Sequence, residues 1–344
     1  MRATVNDIAR EASVSVATVD RVLNNRSGVR QRTREIVLEA AQRVGYIAEA
    51  SDGPVPSRKT EPNDLIRLDF VLPAGANNFI ETLRHQIQIQ AQARPGLDVR
   101  IEAIEGFNPD SLARALLDLR DQTQGVGVIA LDHPTVREAI RSLSAAGAKV
   151  VTIASDIHYV PRVAYVGIDN RAAGRLAGHL LGRLIGAQKA GKIALFAGSL
   201  SYRGHEEREM GFRHILAEEF PMLQIVELRE VRDDSERAYA EASALLDRHP
   251  DLAGIYNIGA GNMGIARALK ERRRAQSVVC IAHDSVSSEK GLLLDGTLDA
   301  LIDQNPRVEA REALNILTYA IKGLPYEEHP PRLNVIFKEN IPEI

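Results

Sequence analysis

The chain of 344 residues has one cysteine, no tryptophan and only 4% aromatic residues. A single Cys280 rules out an internal disulfide and suits a reducing compartment. Without tryptophan, ring stacking on a ligand falls to Phe79, Tyr159, Tyr202 or Tyr256. No apolar run reaches the roughly 18 residues that would mark a membrane span. The N-terminus is polar and lacks the apolar core of a signal peptide, so neither export nor membrane insertion is expected and the expected location is the cytoplasm. Enzyme signatures are missing as well: there is no G-x-S-x-G, no H-E-x-x-H and no G-x-x-x-x-G-K-[ST]. The nine histidines are scattered singly, without metal-ligand spacing. No catalytic residue, metal or cofactor is expected.

What is present is a soluble, globular composition, 44% hydrophobic and 26% charged, long enough for two to three domains. The net charge of −3 argues against a nucleic-acid protein, but its distribution argues for one. Residues 1–46 hold eight Arg and five Asp or Glu, whereas the remainder holds 35 basic and 41 acidic residues. A basic headpiece on an acidic body suits a DNA reader joined to a sensor.

The headpiece has its own pattern. Thr4 is placed to cap a helix, with Asp7 three residues on as a short-armed capping-box partner. Val5, Ile8, Ala9 and Ala12 then fall on one helical face. Ser13-Val14-Ser15 breaks the run, and Ser15 caps a second helix over 16–23 with an inner face of Val19, Val22 and Leu23. A third helix over 33–44 offers Ile36, Val37, Ala40, Ala41 and Val44. Three short helices of this kind place the second one in a major groove.

V-S-V-A-T-V-D-R-V-L-N (14–24), followed by T-R-E-I-V-L-E-A-A-Q-R-V-G-Y (33–46), resembles the LacI-type (lactose and purine repressor) transcription regulators. The resemblance extends more weakly over the rest of the chain as a sugar-binding core. The expected DNA-contacting set is Thr4, Ser15, Val16, Ala17, Thr18, Asp20, Arg21, Asn24, Arg26 and Arg30. By resemblance Val16 and Ala17 distinguish operators. Arg21 has the chemistry to bind guanine in bidentate fashion, and Asp20, unusual for the family, would orient Arg21 or Arg32. Arg26, Arg30, Arg32 and Arg34 are expected on phosphates, where they set affinity and salt dependence.

Residues 48–64 hold three prolines, a glycine and two serines, and read as a linker between a headpiece at 1–47 and a core at 65–344. LacI-type proteins usually place a hinge helix here, with a leucine that wedges into the minor groove. Here Tyr46 is followed by Ile47-Ala48-Glu49-Ala50-Ser51, with no Pro-Asn opening or wedge leucine, so weaker DNA bending is expected.

From Leu65 onward, short apolar runs alternate with helical patterns, which predicts an α/β core with parallel sheets. Strands are expected at 66–72, 99–103, 127–131, 150–153, 164–166, 193–197, 224–227, 254–258, 278–282 and 300–302. Helices are expected at 79–93, 109–122, 135–146, 171–184, 207–219, 235–248, 262–272 and 306–322. The resemblance implies a type I periplasmic-binding-protein core of two Rossmann-like lobes. One lobe would take about 65–167 and 306–327, the other about 168–305 and 328–344, with crossovers near 167–170, 304–306 and 327–332.

Open α/β sheets bind ligands at the carboxyl ends of their strands. Candidates there are Asn77, Asn78, Phe79, Asp132, Asp156, Arg208, Asn257, Asp284 and Gln304. Amides and carboxylates make several hydrogen bonds each, which suits a polyhydroxy ligand. Asn77-Asn78-Phe79, R-E-M-G-F (208–212) and A-H-D-S (282–285) are similar to ligand-contacting segments of the sugar-binding family. His205 and His283 could touch ligand, but a lone histidine is more often structural or exposed. G-A-G-N-M-G (259–264) is a literal dinucleotide fingerprint between a strand and a helix, but it sits late in the chain rather than in a first βαβ unit.

The expected function is a ligand-responsive regulator, a repressor by family habit. It would bind a palindromic double-stranded operator as a homodimer, switched by a small sugar, polyol or sugar acid between the lobes. The alternatives are a dinucleotide-binding redox sensor or enzyme built on 259–264, and a sugar-binding protein whose headpiece no longer binds DNA.

Overall fold

The computed structural model describes residues 4–12, 14–23, 33, 36, 37, 40, 41, 65–75, 77–284 and 286–342. The chain divides into two units, Met1–Asn63 and Asp64–Ile344. The linker, its proposed lack of a hinge helix, and Asn24, Arg26, Arg30, Arg32, Arg34 and Val44 lie outside the described residues.

In the first unit, α1 (Val5–Glu11) and α2 (Val16–Leu23) pack on helical residues between 33 and 41. The Asp7 carboxylate accepts from both the Thr4 N–H (2.9 Å) and the Thr4 hydroxyl (2.7 Å) at the start of α1. Ser15 Oγ accepts from Thr18 N at 3.2 Å and so caps α2. Ile8, Ala9, Ala12, Val19, Val22, Val37, Ala40 and Ala41 form the small core. Ile36, expected inside, is exposed: Val37 and the Ala40–Ala41 pair already fill the contact face, and Ile36 falls outside it.

The second unit is two α/β lobes. The first has a parallel sheet in the order β2 (Leu97–Glu105), β1 (Ile66–Ala74), β3 (Gly125–Val128), β4 (Lys149–Ile153), β5 (Ala164–Val166). Leu68, Phe70, Val71 and Leu72 of β1 are all fully buried. Continuous burial of this kind, rather than alternation, marks a strand covered on both faces. The covering helices include α3 (Asn78–Gln92), α4 (Pro109–Asp118) and α5 (Pro134–Ala145), and α11 (Pro306–Ile321) joins them late in the chain.

The second lobe has a sheet in the order β11 (Asn334–Ile336), β10 (Ala300–Asp303), β9 (Val279–Asp284), β8 (Leu252–Asn257), β6 (Gly191–Ala197), β7 (Leu223–Glu230). It carries α6 (Asn170–Ile185) and α7 (Arg203–Glu219), with α8 (Ser235–Arg248), α9 (Asn262–Glu271) and α10 (Val286–Leu294). Its core is divided by the sheet, with Phe212, Tyr256 and Leu181 on one face and Phe196, Ile255 and Leu269 on the other. The chain passes between lobes after β5, after β10 and after α11.

The ends of β3 (expected at 127–131), β7 (224–227), α4 (109–122) and α7 (207–219) are shifted, and three further elements differ from expectation. Edge strand β2 runs longer because Asp98, Arg100 and Glu102 interrupt its apolar pattern without breaking the strand. Helix α10 has its leucines bunched at one end, so no helical period marks it. The edge strand β11 pairs antiparallel and is only three residues long.

Candidate functional site

A cavity of about 90 Å³ lies between the lobes of the second unit. A single water needs about 10–15 Å³ on this measure, so the space suits a small molecule that displaces several waters. The first lobe contributes Asn77, Phe79 and Ile80 from the start of α3, Phe107, and Ala154-Ser155 after β4. The second contributes Tyr202, Gly204, His205 and Arg208 of α7, Arg232-Asp233 after β7, Gly259 after β8, His283 in β9 and Gln304 after β10.

The lobes touch around this space. Asn77 Nδ2 donates to Asp233 Oδ2 at 2.8 Å, Gly204 N to Ser155 Oγ at 3.3 Å, and Asp132 N to Ser201 O at 3.0 Å. Phe107 and Tyr202 meet edge to face, with centroids 5.4 Å apart. Phe107, Ala154, Arg232 and Asp233 all hold positive φ, between 53° and 62°. The left-handed region costs an L-residue about 1–2 kcal/mol, and such strain collects where a loop must present groups to a ligand.

Arg208 is the centre of the polar wall. It is 3% exposed, yet among the described residues no carboxylate pairs with it. Its guanidinium donates to Asn170 Oδ1 (2.7 Å), the Ile258 carbonyl (2.9 Å) and Gln304 Oε1 (2.6 Å), tying α6, the turn after β8 and the crossover after β10. Helix α6 comes close enough because Gly174 faces the α7 backbone; a Cβ there would lie 1.9 Å from the Arg208 carbonyl oxygen. Burial lowers the Arg208 pKa from its ordinary value, though a guanidinium stays charged at neutral pH. Glu309 sits behind it, fully buried, with both oxygens unpartnered. Burial raises that carboxyl well above the usual range. Burial also pushes His205 down to about 4, against the pull of Asp233, and its Nδ1 meets the Ser199 carbonyl at 3.2 Å.

Asn77, Phe79, Arg208 and Gln304 therefore stand together at the cavity. Of the other strand-end candidates, Asn78, Asp132, Asp156 and Asn257 do not line it. Asn78 is exposed in the first turn of α3. Asp132 pairs with Arg137 and, at 4.0 Å, with Arg203. Asp156 accepts from Arg162 Nε (2.6 Å), Arg162 Nη2 (2.5 Å) and Thr152 Oγ1 (2.7 Å). Asn257 Nδ2 donates to Ala260 O (3.1 Å) and Asn262 Oδ1 (2.6 Å), holding its own turn. Asp284 ends β9, and its side chain lies outside the described residues. Tyr159 is 84% exposed, and Tyr256 is buried on Phe212 rather than at the cavity.

Ser155, His205, Arg232, Asp233 and His283 line the cavity without having been singled out as ligand contacts. The consecutive positive-φ pair Arg232-Asp233 has no glycine to announce it. The two histidines were visible, but nothing in the sequence says which single histidine faces a cavity.

The glycine-rich turn serves packing. A Cβ at Gly264 would lie 2.0 Å from the Ser235 carbonyl oxygen, and one at Gly261 (φ 95°) 2.9 Å from Ala238 Cβ. These glycines let α9 approach α8. The Ala260 amide already donates to Asp233 Oδ1 at 3.0 Å, so the turn offers less than a free phosphate cradle.

In the headpiece unit, Val16, Ala17 and Arg21 are exposed on α2, and Thr18 and Asp20 are partly so, while Val19 and Val22 are buried. One face of α2 is thereby presented and the other held. The Thr4 and Ser15 hydroxyls are engaged in the capping contacts already described.

The fold is thus that of a two-lobed small-molecule binding protein with a helix-turn-helix unit ahead of it. Residues 68–325 match the periplasmic binding protein domain family, and residues 4–49 match the bacterial regulatory proteins of the lacI family. The chain belongs to the periplasmic-binding-protein domain family and is a transcription regulator of LacI type. It is 27% identical over 290 residues to a D-ribose/D-allose-binding protein of Pseudomonas aeruginosa, covering 79% of this chain and 86% of that one. It is 26% identical over 273 residues to the ribose operon repressor of Halalkalibacterium halodurans, covering 78% and 76%. The crystal structure of GanP, a glucose-galactose binding protein from Geobacillus stearothermophilus, shares the fold with a TM-score of 0.74 at 24% identity, over 81% of this chain and 99% of that one. Family members are regulators or binding proteins. Among the described residues no helix is long and apolar enough to cross a membrane.

Proposed function

We propose that the protein acts in the cytoplasm as a homodimer that binds a palindromic operator, and that a small sugar, polyol or sugar acid bound between the lobes changes its operator affinity. Repression is the proposed sign, in line with the ribose operon repressor among its relatives. The observation that carries the ligand class is the Arg208 wall. A buried guanidinium without a carboxylate partner, beside Gln304, Asn77 and Asp233, offers both donors and acceptors, while Phe79 and Tyr202 supply apolar ring faces. That mixture of a few convergent polar groups and aromatic surface suits a hydroxylated ring. Two α2 faces on a dimer would read two half-sites. The ligand must prefer one arrangement of the lobes, because equal affinity for both would switch nothing.

A thermal-shift screen of the full chain tests this with pentoses, hexoses, polyols, sugar acids, sugar phosphates and NAD(P), since a ligand that binds only the folded state raises the midpoint. Stabilisation by a sugar or polyol that also changes operator binding in fluorescence anisotropy supports the reading. Stabilisation by NAD(P) alone overturns it.

A further inference from the structure

His283 lines the cavity and, among the described residues, its ring nitrogen Nδ1 is buried without a hydrogen-bond partner. The side chain is 1% exposed. Its Nε2 lies 2.8 Å from the hydroxyl of Tyr256, and its Nδ1 is buried with no hydrogen bond. Tyr256 is fully buried too, and among the described residues its hydroxyl has no other hydrogen-bond partner. A neutral imidazole carries one proton, and which nitrogen holds it follows from what the other one meets.

Two assignments are open to this pair, and they differ in how many buried groups go unsatisfied. If Nε2 carried the proton and donated to the tyrosine oxygen, the tyrosine O–H would have no acceptor and the Nδ1 lone pair no donor. If Tyr256 donates to Nε2, the hydroxyl is satisfied and one group alone remains, the Nδ1–H. Buried polar groups without partners are costly, so the second arrangement is favoured. The ring stays neutral because burial, reinforced by the positive charge of Arg208, disfavours the imidazolium. That leaves one buried, unpartnered donor on a residue that lines the cavity.

We propose that His283 is a specificity-determining residue, that Tyr256 fixes its proton on Nδ1, and that this N–H donates to an oxygen of the bound ligand. The proposal rests on the sugar-binding reading above and deepens it. The ligand has to present an acceptor oxygen to His283, so a ring lacking that hydroxyl leaves the donor buried and unsatisfied. Sites built to bond a particular hydroxyl reject the analogue without it far more strongly than apolar pockets reject a missing methylene. In this role Tyr256 is a positioning residue, since it acts through the imidazole and does not line the cavity.

The test has one arm that needs no ligand. Long-range ¹⁵N–¹H spectra of the full chain, with the signal assigned by its loss in His283→Phe, report the tautomer directly. A proton on Nδ1 that leaves that position in Tyr256→Phe supports the proposal. A proton on Nε2 in the wild type overturns it. The second arm is calorimetric titration with D-ribose, D-allose and their monodeoxy analogues. His283→Phe should weaken the preferred sugar by about 5- to 100-fold and leave the affinity of one monodeoxy analogue nearly unchanged. Tyr256→Phe, which keeps the imidazole and most of the packing, should show an intermediate loss, and it serves if His283→Phe does not fold. Wild-type and His283→Phe proteins that bind every sugar alike would overturn the role of His283 while leaving the sugar reading intact. A wild type that binds no sugar at all would overturn both.

Discussion

The side-chain amide of Asn77 bridges the lobes: its nitrogen donates to Asp233 Oδ2 at 2.8 Å while its oxygen caps α3 by accepting from Ile80 N at 3.2 Å. One residue thus holds both the start of a helix and the closed edge of the cavity. Asn77→Asp separates the two roles, because it keeps a capping oxygen and sets a second carboxylate against Asp233. Like charges in contact oppose closure, by about 1–3 kcal/mol in a partly buried site. Ligand affinity measured by calorimetry at pH 7 should fall roughly tenfold or more, with a small change in melting temperature. Unchanged affinity would show that the bridge plays no part in the ligand-bound arrangement.

Arg208 makes three hydrogen bonds to three separate segments from a fully buried position. Replacing it with Met would leave Asn170 Oδ1, the Ile258 carbonyl and Gln304 Oε1 without their donor. Hydrogen bonds to a charged group are worth about 1.5–3 kcal/mol each, and orphaned buried acceptors add to the loss. Arg208→Met should therefore abolish measurable ligand binding and lower the melting temperature by several degrees in a thermal scan. Arg208→Lys should not rescue it, because an ammonium lacks the planar fork that reaches three acceptors at once. Full binding by the lysine variant would contradict this account of the wall.

Stability should fall on the acid side of neutrality for a reason localised at the cavity. His205 is held at about 4 in the folded chain, against about 6.5 in an unfolded one. Between those values the unfolded state takes a proton that the folded state refuses, so stability declines as pH drops from about 6.5 towards 4. The lowered His283 acts in the same direction. Glu309 opposes it: its raised pKa makes it a stability term that is complete below the ordinary carboxylate range and is lost as pH rises above it. Melting curves from pH 4 to pH 8 should show a shallower acid slope for His205→Gln. Glu309→Met removes a buried carboxyl whose two oxygens find no partner and whose pKa is raised, so it should raise the melting temperature by more at pH 7 than near pH 3. A lower melting temperature at pH 7 would mean that the carboxyl is needed where it sits.

Much of the fold was legible because its strands are buried on both faces. Ile193–Ala197 is a continuous apolar segment and Ile66–Leu72 is apolar apart from Arg67 and Asp69, both between helical periods, and the structure places β6 and β1 there. Where burial was one-sided or brief, the pattern weakened, as in β2, α10 and β11. The candidate site was legible in part, since strand ends gather polar residues for two purposes. Asn77 and Gln304 face the cavity, whereas Asp132 and Asp156 neutralise Arg137 and Arg162. Sequence position alone does not separate a carboxylate meant for a ligand from one meant for an arginine five or six residues on. Asp233 was missed for a further reason: its aim depends on two successive left-handed residues, neither of them glycine.

The DNA-reading assignment has its sharpest test at Arg21. The residue is exposed on α2, while Val19 and Val22 of the same helix are buried in the headpiece core, so its truncation leaves the packing of the helix untouched. If Arg21 forms a bidentate contact with guanine, Arg21→Ala should cost about 1–3 kcal/mol of specific binding. That is roughly 5- to 150-fold in operator affinity, and discrimination at one base pair should relax. If it contacts only a phosphate, binding should weaken alike on all sequences, and the salt dependence should fall by about one ion. Anisotropy titrations on the operator and on single-base variants, at two salt concentrations, tell these apart. In either case the thermal shift produced by the ligand should be that of the wild type, because Arg21 belongs to the headpiece unit and the cavity to the other. Unaltered operator binding by Arg21→Ala would remove α2 from its place as the reading helix.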